Sequence, residues 1–147
     1  MDNCINGFNR SGIFELYSYI CRFEEIKSCK KKKELQENYA VLLAHVETEL
    51  KNIKTHNQEH SAWNPLDLMD EAISSPHFYY KKKECVVYDL LYHIRNAIAH
   101  GNISVDGITK NVRVKDFDKY GNQTANALIP KEVFINIVKH VNDDIQL

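Results

Sequence analysis

Leu90-Leu91-Tyr92-His93-Ile94-Arg95-Asn96-Ala97-Ile98-Ala99-His100-Gly101 closes a strongly amphipathic segment that begins near Tyr80. Its spacing predicts a helix from about Tyr80 to Ala99. Gly101 supplies the left-handed residue that ends it. At about 100° per residue, Val87, Leu90, Leu91, Ile94, Ala97 and Ile98 share one side, which must pack on other helices. Asp89, Tyr92, His93, Asn96 and His100 take the opposite side, and Arg95 stands at the boundary. Asp89, His93, Asn96 and His100 follow i, i+4, i+7, i+11 and form one polar line.

Working outward, the same helical period recurs upstream. Ile13, Leu16, Tyr17, Ile20, Phe23 and Ile26 predict a helix over 12–28. Leu35, Tyr39, Leu42, Leu43, Val46, Leu50 and Ile53 predict a longer one over 33–55. Asn64-Pro65 reads as a cap followed by a first helical residue. A short helix to about Ser74 follows, stopped by Ser75-Pro76. Beyond Gly101 the period changes. Asp106-Gly107 and Gly121-Asn122 are turn signals. Val112–Phe117 and Thr124–Leu128 alternate like the strands of a small hairpin. Pro130 then opens a last helix, with Val133, Phe134, Ile137, Val138 and Val141 on its stripe. The expected fold is mainly α: an antiparallel bundle of about five helices, with a small β-hairpin inserted before the last.

Length and composition suit one domain spanning 1–147 with a real core. Apolar residues make up 44% and charged residues 27%. A net charge of −1 gives no global attraction to nucleic acid, so any such contact has to be local. No apolar run is long enough for a bilayer, and the N-terminus lacks the order of a signal peptide. Cys4, Cys21, Cys29 and Cys85 show no CxxC spacing. They read as reduced thiols of a cytoplasmic protein.

Arg95, Asn96 and His100 are the residues with phosphate chemistry. Arginine is a permanent cation whose planar fork matches a phosphate. Histidine exchanges a proton near neutral pH. Asparagine can orient either. On an ideal helix Arg95 and His100 are about 7 Å apart along the axis and about 140° apart around it. They converge only through arginine's length at the helix end, or across a second copy of the helix. The plainer alternative is that Arg95 covers the core edge and His100 sits favourably at the helix C-terminus.

The run Arg95-Asn96-Ala97-Ile98-Ala99-His100 at the end of an amphipathic helix resembles the signature of the HEPN superfamily (higher eukaryotes and prokaryotes nucleotide-binding domain). Leu90–Ile94 and Gly101-Asn102 resemble small bacterial and plasmid-borne members. The resemblance implies an all-helical fold and a homodimer. It further implies a metal-independent RNA endonuclease of a defence or toxin system, with motif arginine and histidine from both protomers meeting at the interface. Arg95 and His100 are then catalytic and Asn96 supporting. An antitoxin or regulatory protein is a further expected partner; no cofactor, metal or membrane is. Gly101-Asn102 follows the histidine in place of x-Tyr. That sets the chain apart from HEPN toxins whose motif tyrosine is modified by a nucleotidyltransferase antitoxin.

The chemistry implied is cleavage by RNA's own 2′-hydroxyl, with histidine as base and acid. Arg95 would stabilise the charge that builds on the phosphoryl oxygens. The product would carry a 2′,3′-cyclic phosphate. Phe78-Tyr79-Tyr80-Lys81-Lys82-Lys83 interleaves aromatics and cations, as RNA contact would require. Stapling of a helix entry by the aromatics, with solvated lysines, is the other reading. His93 and Tyr92 are candidates to line the pocket. His56-Asn57-Gln58-Glu59-His60 matches the H-x-x-E-H zinc pattern, with Glu132 as a distant third ligand. Its wholly polar surroundings favour a solvated helix end over a supported metal site. His45, beside an apolar stripe, reads as a packed or edge histidine rather than a ligand.

Overall fold

Among the described residues four helices lie against a six-stranded mixed sheet, which overturns the expected mainly α bundle with a lone hairpin. The computed structural model describes residues 5–6, 8–28, 33–58, 75–81 and 84–145. The helices are α1 (Arg10–Ser28), α2 (Lys33–Glu49), α3 (Val86–His100) and α4 (Lys131–Asp144). The strands are β1 (Ile5–Asn6), β2 (Lys54–Gln58), β3 (His77–Lys81), β4 (Ile103–Val105), β5 (Asn111–Phe117) and β6 (Gln123–Pro130). Their order is β1-β4-β5-β6-β3-β2.

The expected helices at 12–28 and after Pro130 form, and so does the hairpin. It is β5 paired antiparallel with β6, closed by a turn in which Gly121 has φ 86. The long second helix stops earlier than its apolar period suggests. It passes through a single 3-10 turn, Leu50–Asn52, into β2. The fourth expected helix starts at Val86, not near Tyr80, because His77–Lys81 is a strand.

That strand explains the misreading. β3 lies between β6 and β2, and His77, Phe78, Tyr79 and Tyr80 are all buried. A strand covered on both faces shows no polar–apolar alternation. Its aromatic residues nevertheless suit a strand. β2 pairs parallel to β3 in register Lys54↔His77. Parallel neighbours need a connection of a dozen or more residues, and 59–76 supply it. The short helix expected after Asn64-Pro65 lies outside the described residues.

One apolar cluster joins the layers. Phe78 and Tyr80 of β3, Val112 and Val114 of β5, and Ala125, Ala127 and Ile129 of β6 face Leu16, Tyr19, Phe23, Leu42, Val46, Leu91, Ile94, Phe134 and Ile137 of the helices. α3 runs between α1 and β5. The buried Tyr19 hydroxyl donates to the Leu91 carbonyl at 2.7 Å and ties α1 to α3. As expected, Gly101 caps α3 in the left-handed region, at φ 72. The amide of Asn102 closes back on the Ala97 carbonyl at 2.7 Å.

Candidate functional site

Because α3 is packed on both sides, its polar line is covered at Asp89 and His93 and is exposed only at its end, at His100. Asp89 and His93 are fully buried. Asp89 accepts the Glu84 amide at 2.9 and 3.2 Å and so holds the entry to the helix. His93 and Asn96, one turn apart, face β5 and meet Asp116 there. The inward phase of β5 runs Val112, Val114, Asp116, so its last inward residue is an acid. The hairpin register shifts between Asp116 and Phe117, the kind of irregularity that re-aims a side chain.

Asp116 accepts from His93 Nδ1 at 2.7 Å and from Asn96 Nδ2 at 3.0 Å, both on Oδ2. Its Oδ1 accepts the Phe117 amide at 2.9 Å. A carboxylate only accepts, so His93 carries its proton on Nδ1. His93 Nε2 is buried with no hydrogen-bond partner among the described residues. Asn96 passes the chain outward: its Oδ1 accepts from the Arg95 guanidinium at 3.1 Å. Arg95 is half-buried, and its Nε lies 3.3 Å from Glu24 Oε1 of α1. This contact is an ion pair without hydrogen-bond alignment.

A cavity of about 260 Å³ opens over this network, lined by Lys81, Tyr92, His93, Asn96, Asp116, Phe117, Asp118 and Thr124. Backbone hydrogen bonds from Asn122 and Tyr120 hold the Asp118 carboxyl below the usual carboxylate range. Its lining combines a cation (Lys81), two aromatic rings (Tyr92, Phe117), two acids (Asp116, Asp118), an imidazole and an amide.

The structure joins four of the candidate residues at this cavity: His93, Asn96, Tyr92 and Lys81. Arg95 is linked through Asn96. His100 is not among the lining; it stands exposed one turn further on, at the C-terminal end of α3. Lys82 and Lys83 lie outside the described residues. In the H-x-x-E-H stretch, His56–Gln58 lies in β2 rather than at a helix end, and Glu59 and His60 lie outside the described residues. Asp116 and Glu24 were not anticipated. Asp116 carried a signal: an acid in apolar phase on an alternating strand. Glu24 carried none.

No helix among the described residues is long and apolar enough to cross a membrane. No curated protein and no solved structure gives a significant match to the chain. The family model described as HEPN pEK499 p136 matches residues 13–146, from the first turns of α1 to the end of α4 and through the whole polar network. This chain therefore belongs to the HEPN pEK499 p136 family.

Proposed function

We propose that the chain is an endoribonuclease working as a homodimer, with Arg95 and His100 of both copies around one scissile phosphodiester. One observation carries this reading. A hydrogen-bonded run from His93 through Asp116 and Asn96 to Arg95 stiffens the motif helix, which ends with His100 exposed toward whatever docks there.

In this scheme Asn96 orients the guanidinium, and the His93–Asp116 pair orients Asn96. The exposed imidazole of His100 takes the proton of the 2′-hydroxyl. Its copy in the partner subunit gives a proton to the departing 5′-oxygen. Arg95 balances charge on the non-bridging oxygens. The steps call on side chains alone. DNA has no 2′-hydroxyl and is not a substrate. Lys81, with Lys82, Lys83 and Tyr92, supplies local RNA contact to a chain with no net positive charge. Such an enzyme acts in the cytoplasm as a toxin or antiphage effector, under control of an antitoxin or regulatory protein.

A second reading is a non-catalytic module that binds nucleotide, RNA or a partner protein. The tie between Arg95 and Glu24 favours it, since that carboxylate competes with a phosphate for the guanidinium. RNA cleavage and growth arrest by wild type and His100→Ala separate the two. The enzyme reading expects cleavage with a 2′,3′-cyclic phosphate end, and loss of both effects in the variant. Equal behaviour of the two proteins favours the binding module.

A further inference from the structure

We propose that His45, His140 and Asp144, with Glu49 beside them, form a binding site for one divalent transition-metal ion of the zinc class. The site is separate from the motif helix, and none of its residues lines the cavity beside His93.

The backbone sets the arrangement. His45 and Glu49 are four residues apart on α2, and His140 and Asp144 are four apart on α4. Each pair therefore shares a helix face, and α2 packs along α4. The four side chains meet between the two helices. His45 Nδ1 is 2.7 Å from Asp144 Oδ2. His140 Nδ1 is 3.9 Å from that oxygen, and its Nε2 is 3.9 Å from Glu49 Oε2. The imidazole rings stand 4.5 Å apart, centroid to centroid. One ligand atom from each of His45, His140 and Asp144 falls within 4.8 Å of the other two.

Donors on a tetrahedral zinc lie about 3.3 Å apart, from bond lengths near 2.0 Å. Closure needs each side chain to move by about 1 Å. Both histidines have room, with side chains 44% and 31% exposed. Among the described residues, no lysine or arginine pairs with Asp144 or Glu49; their ion-pair partners are the two histidines. Two carboxylates without a fixed cation favour a divalent ion. Imidazole with carboxylate suits zinc, cobalt or nickel more than calcium or magnesium. Asn136 donates to Glu49 Oε1 at 3.3 Å and leaves Oε2 turned to His140, the outer support that metal ligands usually have. A bound ion would staple α2 to α4 and stabilise the folded state by mass action.

The test uses the full chain without a polyhistidine tag, stripped with chelator and titrated with zinc chloride and with cobalt chloride. The proposal expects one ion per chain, visible d–d bands of low-symmetry cobalt, and a higher Tm with zinc. His45→Gln and His140→Gln should each weaken binding by at least about tenfold, as loss of a ligand or its support does. Both should keep the Tm of the metal-free wild type within a few degrees. A His56→Gln/His60→Gln double variant should bind as wild type. A thiolate charge-transfer band would place cobalt on cysteine and overturn the proposal. So would absent binding, or binding indifferent to His45 and His140, which would leave the quartet as a surface ion-pair cluster only. If either single variant does not fold, Asp144→Asn carries the same expectation and the same refutation.

Discussion

His93–Asp116 and His45–Asp144 are the same pair in two settings. Nδ1 to Oδ2 is 2.7 Å in both. The first is 4% exposed on each side chain; the second is 44% and 17% exposed. The buried pair has a third member, Asn96, and positions what lies beyond it. The exposed pair has water as a competitor and free rotamers, which makes it adaptable rather than strong. Burial, not distance, decides what a histidine–carboxylate contact does. His77 adds a third case: a buried imidazole with a carbonyl in place of a carboxylate, Nδ1 lying 2.8 Å from the Ser75 oxygen.

The comparison breaks first at Asp116. Asp116→Ala leaves the buried His93 and the half-buried Asn96 without their acceptor. It should cost about 3 kcal/mol or more, as removal of one partner of a buried pair does. Urea unfolding measures this. A loss below about 1 kcal/mol would mean that the buried pair behaves like a surface one.

An intermediate effect belongs to His77. Burial holds its imidazole below the ordinary value of 6.5, with the charges of Arg113 and Lys54 adding to the depression and the Ser75 carbonyl opposing it. The unfolded chain then takes up the proton first. Stability falls as pH drops below 6.5, and the fall ends once the folded imidazole also protonates. In unfolding curves between about pH 5 and 7, His77→Asn should flatten that slope relative to wild type. An unchanged slope would assign it to other histidines.

The smallest effect is at the surface. Asp144→Ala, measured without added metal, should cost between about 0 and 1 kcal/mol, and less in high salt. A cost matching that of Asp116→Ala would erase the contrast.

Most of the helical layer was legible because α1, α2 and α4 each keep one face wet. α1, α4 and the β5–β6 hairpin follow their periods and turn residues closely. β3 was not, because both its faces are covered and His77-Phe78-Tyr79-Tyr80 reads as a continuous apolar run joined to the helix that follows. β2 was not, because Lys54–Gln58 is wholly polar and extends the helix period by proximity alone. At the site, spacing alone puts Asp89, His93, Asn96 and His100 on one line of α3, of which Asp89 and His93 are buried, Asn96 is half-buried and His100 is exposed. The burial of the first two is not legible, since nothing in α3 announces that a strand covers it. Asp116 shows the general difficulty: two residues 20 positions apart in sequence, Asn96 and Asp116, become neighbours only through the return of a hairpin.

The claim on which the functional account rests is that two subunits build one site. Subunit poisoning tests it most directly. At fixed total protein, wild-type chain is assembled with a ninefold excess of the His100→Ala chain under conditions that exchange subunits, and RNA cleavage is compared with the same total of wild type alone. If both histidines are needed, only pairs of two wild-type subunits cut, and activity falls to about one hundredth of the undiluted value for a symmetric dimer. Activity that instead stays at about one tenth, in proportion to the wild-type subunits present, would show that each chain acts alone.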